Sequence, residues 1–192
     1  LIAAASLLLC APLAIGQAPG GRGAPPTAKA AARNDLTGYW VAYITEDWRF
    51  RMITPPKGDF SGVPLNAEGR KIAAAWDPAA GEKNGDACRF YGAPAIMRIP
   101  GRLHITWQDD NTLKVETDAG MQTRLFNFSS RQAAQGAPSW QGSSIAQWEK
   151  PESEGRVGFD TPPQGGGLKV VTTNLRAGYL RRNGVPYSEN AV

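Results

Sequence analysis

Few side chains in this sequence could do chemistry, and they stand far apart. His104 is the only histidine. It lies in the run Arg102-Leu103-His104-Ile105-Thr106-Trp107, on the side opposite Leu103 and Ile105. With Glu116 as a second proton carrier and an arginine to hold an oxyanion, it could act as a base. There is no G-x-S-x-G turn for a nucleophile. No catalytic residue is therefore assigned, and His104 and Glu116 are the candidates if a reaction exists. A zinc site needs several ligands, and no C-x-x-C or H-x-x-x-H spacing supplies them. A single imidazole suffices for haem, but nothing else points there. The expectation is no metal and no cofactor. Asp109 and Asp110 stand in a turn, where acids serve local hydrogen bonds.

The second group able to act on a ligand is arginine among aromatic rings. In Glu46-Asp47-Trp48-Arg49-Phe50-Arg51-Met52, apolar and basic residues alternate, which reads as a strand from Asp47 to Ile53. With the rings inward, Arg49 and Arg51 keep the strand soluble. In the reverse register the two guanidinium groups line a cavity and clamp a carboxylate.

Elements that would position these residues are mostly strands. Leu36 to Thr45 is rich in aromatic and β-branched residues. Ala95–Ile99, Arg102–Trp107, the segment around Leu113 and Val115, and Met121–Phe128 read as four consecutive strands joined by tight turns, an antiparallel meander. Gly120 falls where its hairpin needs a left-handed residue. Ser139–Trp148 and Leu168–Leu175 add two more. One helix is expected after Asn66, whose side chain can cap it, with Leu65, Ile72, Ala73 and Trp76 on its apolar side. Asp77-Pro78 ends it, and Ala79 to Ala87 reads as a loop. Tyr179 to Val192 is ambiguous. About eight strands without βαβ alternation indicate a mainly β fold, a small barrel or sandwich with one short helix.

The ends carry a different signal. Residues 1–16 are apolar or small and uncharged, with Leu7-Leu8-Leu9 as the centre of a secretory signal that lacks its basic start. Cleavage after Gly16 follows small residues. Leu9 before Cys10 is bulky for a lipoprotein signal, so lipid anchoring is disfavoured. Residues 17–34 are rich in Ala, Gly and Pro and read as a disordered linker. Residues 35–192 then form a single β-rich domain that reads as cut short at its end. Cys88 is the one thiol outside the signal, expected buried and inert. The formal charge is +4, but Arg22, Lys29 and Arg33 fall in the linker, which leaves about +1 for the folded part. No basic field attracts nucleic acid, and no membrane span is expected after signal removal.

Gly38-Tyr39-Trp40, at the start of the first strand, resembles the G-x-W signature of lipocalins and the wider calycin barrels. That resemblance implies a Trp closing one barrel end, with a basic residue across its face; Arg176, Arg181 or Arg182 could supply it. The segments Asp35–Trp40, Thr45–Arg49, Tyr91–Arg98 and Gly178–Ser188 are also similar to a group of uncharacterised secreted bacterial proteins. This implies a compact exported β domain, periplasmic or secreted, and no particular reaction.

The expected function is an exported binding module for a small, mostly apolar or amphipathic ligand. Trp40, Trp48, Phe50, Met97 and Trp107 would line its interior, and Arg49 or Arg98 would meet an acidic group. Two other readings compete. One is a lumen enzyme, an isomerase, cyclase or hydrolase, using His104 and an arginine. The other is a cell-surface structural or interaction protein using Trp140 and Trp148.

Overall fold

The computed structural model describes residues 24–129, 136–149 and 166–192. The expected signal, the first part of the linker and the segment before the expected strand Leu168–Leu175 fall outside these residues in whole or in part. The chain is mainly β, with short helices. Six strands form one mixed sheet in chain order: β1 (Gly38–Val41), β2 (Arg102–Asp109), β3 (Thr112–Thr117), β4 (Thr123–Asn127), β5 (Ser143–Glu149) and β6 (Gly167–Thr173). All neighbours are antiparallel except β4 and β5, which run parallel. β7 (Gly178–Tyr179) and β8 (Pro186–Tyr187) make a separate two-stranded ribbon. Among the described residues β1 and β6 have one sheet neighbour each, so the sheet is open at both edges.

The alternation read in β2 and β3 puts one row of side chains into the core. Leu113, Val115, Phe126 and Ala146 are buried there, and Leu103, Ile105, Trp107, Phe128, Leu168 and Val170 pack on them. Each such side chain contributes roughly 1.5–3 kcal/mol when fully withdrawn from water. The pairings Leu103↔Thr117, Ile105↔Val115 and Trp107↔Leu113 hold the row in register. Gly120 is left-handed, as the hairpin required, at φ 69°. A Cβ there would sit 2.3 Å from Cγ of Tyr91, so the turn also seats that ring.

Three readings need correction. Trp48–Met52 is a helix, α1, not a strand. A five-residue alternation fits one helical turn as well as a strand. Among the described residues no strand lies beside it to complete a ladder, and the i,i+4 pair Trp48 and Met52 points to solvent, each 61% exposed. In place of the strand expected over Ala95–Ile99 at the start of the meander, Ala93–Ile96 is a helical turn, α4, with Pro94 near its start and Ala93, Ala95 and Ile96 buried. Proline is tolerated in a first helical turn, where its missing N–H is not needed. β1 takes the vacant place beside β2. Pro78–Lys83, expected as loop, is a helix, α3: Asp77 Oδ1 accepts from the Ala79 amide at 3.0 Å and Pro78 opens the first turn.

The expected helix is present as α2, Ala67–Ala75, and the Asn66 side chain accepts from the Gly69 amide at 2.7 Å. Asn66→Ala is expected to cost about 1 kcal/mol, readable as a lower urea midpoint with unchanged slope.

The described part of the linker is tied to the sheet. The Ala28 amide donates to Asn111 Oδ1, the Lys29 amide to the Asp110 carbonyl, and Trp148 Nε1 to the Ala28 carbonyl. The segment lacks an apolar period, and its backbone groups supply the attachment instead.

Candidate functional site: an arginine-rich cavity

The turn Leu180–Val185 is where the chain gathers charge. The Leu180 amide donates to the Val185 carbonyl at 2.7 Å and closes it. Gly184 takes φ 89° against Trp76. Asn183 is buried and its Nδ2 donates to the carbonyls of Pro56 and Asp59, at 3.2 and 2.7 Å. This clamp points Arg181 at the loop after α1 and Arg182 at Phe90 and Tyr91.

Between them lies a cavity of about 380 Å³. Arg51, Arg98, Arg181 and Arg182 line it, together with the rings of Phe50, Phe90 and Tyr91. The guanidinium groups are held in place. Arg51 Nε donates to the Arg98 carbonyl at 3.0 Å, and Arg181 Nη1 to the Ser61 carbonyl at 2.7 Å. Arg181 stacks 4.6 Å from the Phe50 centroid. Arg182 lies over Phe90 and Tyr91, at 4.9 and 5.2 Å, and donates to the Tyr91 hydroxyl. Among the described residues one carboxylate makes an ion pair with the four: Asp47 Oδ2 meets Arg98 Nη2 at 2.8 Å. Burial holds the Arg181 guanidinium below the usual arginine range, the like charge of Arg98 adds to it, and the carboxylates of Asp59 and Asp47 oppose it. The cavity therefore has surplus positive charge and flat apolar walls.

Phe90 and Arg182 also line a second groove of about 590 Å³, where Ile72, Trp76 and Tyr179 stand with the acids Asp77, Glu82 and Asp86. The two spaces share the Phe90–Arg182 wall. One is cationic, and the other combines apolar side chains with carboxylates.

Of the expected ligand residues, Phe50 and Arg98 reach the cavity. Arg49 stands at its outside, 5.8 Å from the Phe50 centroid. Trp48 and Met97 are exposed. Trp40 and Trp107 belong to the sheet, with Trp107 packed against Phe128 and Trp148. The cation expected over Trp40 is elsewhere: Arg176 stacks on Trp140, Arg181 on Phe50, Arg182 on Phe90. Trp40 Nε1 instead donates to the Leu36 carbonyl at 3.0 Å. Sequence reading missed the convergence of Arg181, Arg182 and Phe90 with Arg98. The one available signal was the Arg-Arg-Asn-Gly turn.

His104 pairs with Glu116 across β2 and β3, Nδ1 to Oε2 at 3.2 Å, and stacks on Tyr39 at 4.2 Å. This group is on the sheet face away from the core, half-exposed, and lines none of the cavities described. Lys114 Nζ is 3.1 Å from the same carboxylate oxygen. The hydrogen bond from Lys114, then that from His104, holds Glu116 below the ordinary glutamate value of 4.5. A carboxylate depressed in the folded state stabilises above its unfolded pKa, and that contribution is lost as pH falls through the folded one. Melting curves from pH 6 down to 3 should show a smaller acid loss in Glu116→Gln than in the parent. Equal losses would show that the contact does not bear on stability.

Cys88 is a free thiol and half-buried. Among the described residues no helix is long and apolar enough to cross a membrane.

Compared with protein-family models, curated proteins and solved structures, the chain matches none.

Proposed function

We propose that this protein is an exported binding module for an amphipathic anion, a small molecule with one acidic group on a mostly apolar body. The observation that carries this is the set of four arginines around one ring-lined cavity with, among the described residues, one ion-paired carboxylate. Cations placed together repel, and an acidic ligand group would relieve that repulsion through bidentate, charge-assisted hydrogen bonds. The apolar body would lie past Phe90 in the adjoining groove. This reading keeps the ligand role inferred from the lipocalin-like opening and moves the ligand from a barrel lumen to the space beside the sheet. Export rests on residues 1–16, which have the pattern of a secretory signal.

A matched series tests it: dodecanoate, dodecanol and dodecylammonium, each titrated by calorimetry and by thermal shift. Dodecanoate should bind and raise the melting temperature, and the other two should be at least tenfold weaker. Equal binding of the alcohol, or no binding by any of the three, would sink the reading.

A second reading has one observation of its own. Tyr39 and Val41 on the edge strand β1, and Tyr43 just past its end, are exposed in alternate positions, 82%, 74% and 88%. An interaction protein would use this row rather than Trp140 and Trp148, which are half-buried.

A further inference from the structure

The arginine-rich cavity has more charge and more donors than one carboxylate can take up. Arg51, Arg98, Arg181 and Arg182 line it, and among the described residues no Asp or Glu does. The carboxylates that act on these arginines stand outside the lining. Asp47 pairs with Arg98, and Asp59 lies near enough to Arg181 to bear on its charge. Asp59 is also shared with Arg49, outside the cavity. Four guanidinium charges against these two carboxylates leave a surplus of two. A monoanion would leave one of them unanswered.

The donors point the same way. A guanidinium carries five N–H donors in one plane, on three nitrogens. Hydrogen bonds to protein take one nitrogen of each arginine. Arg51 Nε goes to the Arg98 carbonyl, Arg98 Nη2 to Asp47, Arg181 Nη1 to the Ser61 carbonyl and Arg182 Nη2 to the Tyr91 hydroxyl. Among the described residues nothing takes the other two nitrogens of each, which for Arg51 are both terminal ones. Phe50 stacks on Arg181, and Phe90 and Tyr91 stack on Arg182, which fixes those planes.

A carboxylate has two oxygens in one plane and engages two such forks at most in a bidentate way. A phosphate monoester presents three terminal oxygens in a tetrahedral array and, when fully ionised, two charges. The arginines enter from three segments: α1, the turn after α4 and the turn Leu180–Val185. Three oxygens directed three ways suit that arrangement. The cavity also has room, since its 380 Å³ lies within the roughly 300–1,000 Å³ of small-molecule sites.

We propose that the acidic end of the ligand is a phosphate monoester, so that the site takes a phosphorylated amphiphile, with Arg51 as the third arm on its oxygens. This rests on the reading that the cavity holds the acidic end of an amphipathic anion.

The test is calorimetry on the unmodified protein with dodecyl phosphate, methyl dodecyl phosphate, dodecanoate, dodecanol and inorganic phosphate. At pH 8 dodecyl phosphate should bind at least tenfold more tightly than dodecanoate or the methyl diester, because one more charge-assisted donor set is worth about a factor of ten. Its affinity should fall by about tenfold at pH 5, below its second pKa of about 6. No His or Cys lines the cavity among the described residues, so that titration belongs to the ligand. Inorganic phosphate should bind at least a hundredfold more weakly. Arg51→Gln should bring dodecyl phosphate down to the level of dodecanoate and change dodecanoate itself less than threefold. Equal affinity for dodecyl phosphate and dodecanoate, with dodecanol weak, would overturn the phosphate head and leave the amphipathic-anion reading standing. Inorganic phosphate binding as tightly as its dodecyl ester would overturn the amphiphile in favour of a free anion. Dodecanol binding as tightly as dodecyl phosphate would overturn both readings. If Arg51→Gln does not fold, the ligand ranking in the unmodified protein decides alone.

Discussion

Arg98→Gln and Arg181→Gln should each weaken dodecanoate binding by about tenfold or more, and the double variant by a few hundredfold. Each substitution keeps a polar side chain of similar reach and removes one charge-assisted donor set. Hydrogen bonds to charged groups contribute about 1.5–3 kcal/mol, and 1.4 kcal/mol is a factor of ten. The loss should be specific to the acidic head. Dodecanol affinity should change less than threefold, because the groove past Phe90 is untouched. Lys169→Gln removes an equal charge from β6, where Lys169 pairs with Glu149 at 3.6 Å, and should leave dodecanoate binding as it was. A loss of the same size in Lys169→Gln would mean that net charge, rather than the cavity, attracts the ligand. Unchanged affinity in both arginine variants would remove the cavity from the binding role.

Leu113→Ala is the change expected to destabilise the fold most. Leu113 is 1% exposed, opposite Trp107 on one side and Phe126 on the other. Truncation removes three carbons and leaves a hole that paired strands on both sides cannot close. Comparable substitutions cost about 2–5 kcal/mol, a large part of the roughly 5–15 kcal/mol that holds a domain. At about 2–4 °C per kcal/mol for a chain of this size, the melting temperature should fall by about 10 °C. Leu125 is the internal comparison. It lies on the neighbouring strand opposite Lys114 and is 39% exposed, on the outer face. Leu125→Ala should cost under about 1 kcal/mol. Similar losses at the two positions would mean the sheet buries both faces and that the described core is incomplete.

Much of the β2–β3–β4 unit was legible because its information is local. Alternation of Leu103, Ile105 and Trp107 against polar neighbours has one reading when the run is six residues long and ends at turns. The same holds for Gly120, where a hairpin needs positive φ, and for Asn66, whose side chain caps a helix from three residues away. The run around Trp48 is different. Five residues of alternation fit a strand or a single helical turn, and among the described residues there is no neighbouring strand to select the former. Pro94 and Pro78 carried a usable signal, a helix start, that the apolar run at Ala95–Ile99 and the turn-like Asp77-Pro78 obscured.

The sequence by itself determined a mainly β chain, the row of side chains that forms its core, and the presence of arginines beside aromatic rings. Tertiary structure alone decided which arginines meet. Arg51, Arg98, Arg181 and Arg182 come from segments up to 131 positions apart, and no spacing rule connects them. Their convergence depends on the buried Asn183 clamp and on the Tyr91 ring seated on Gly120. The outward place of His104 was set the same way, by which face of β2 the core covers. Short-range preferences act through the backbone and leave marks in neighbouring residues. A cavity is shaped by packing between distant segments, and that packing leaves no local mark.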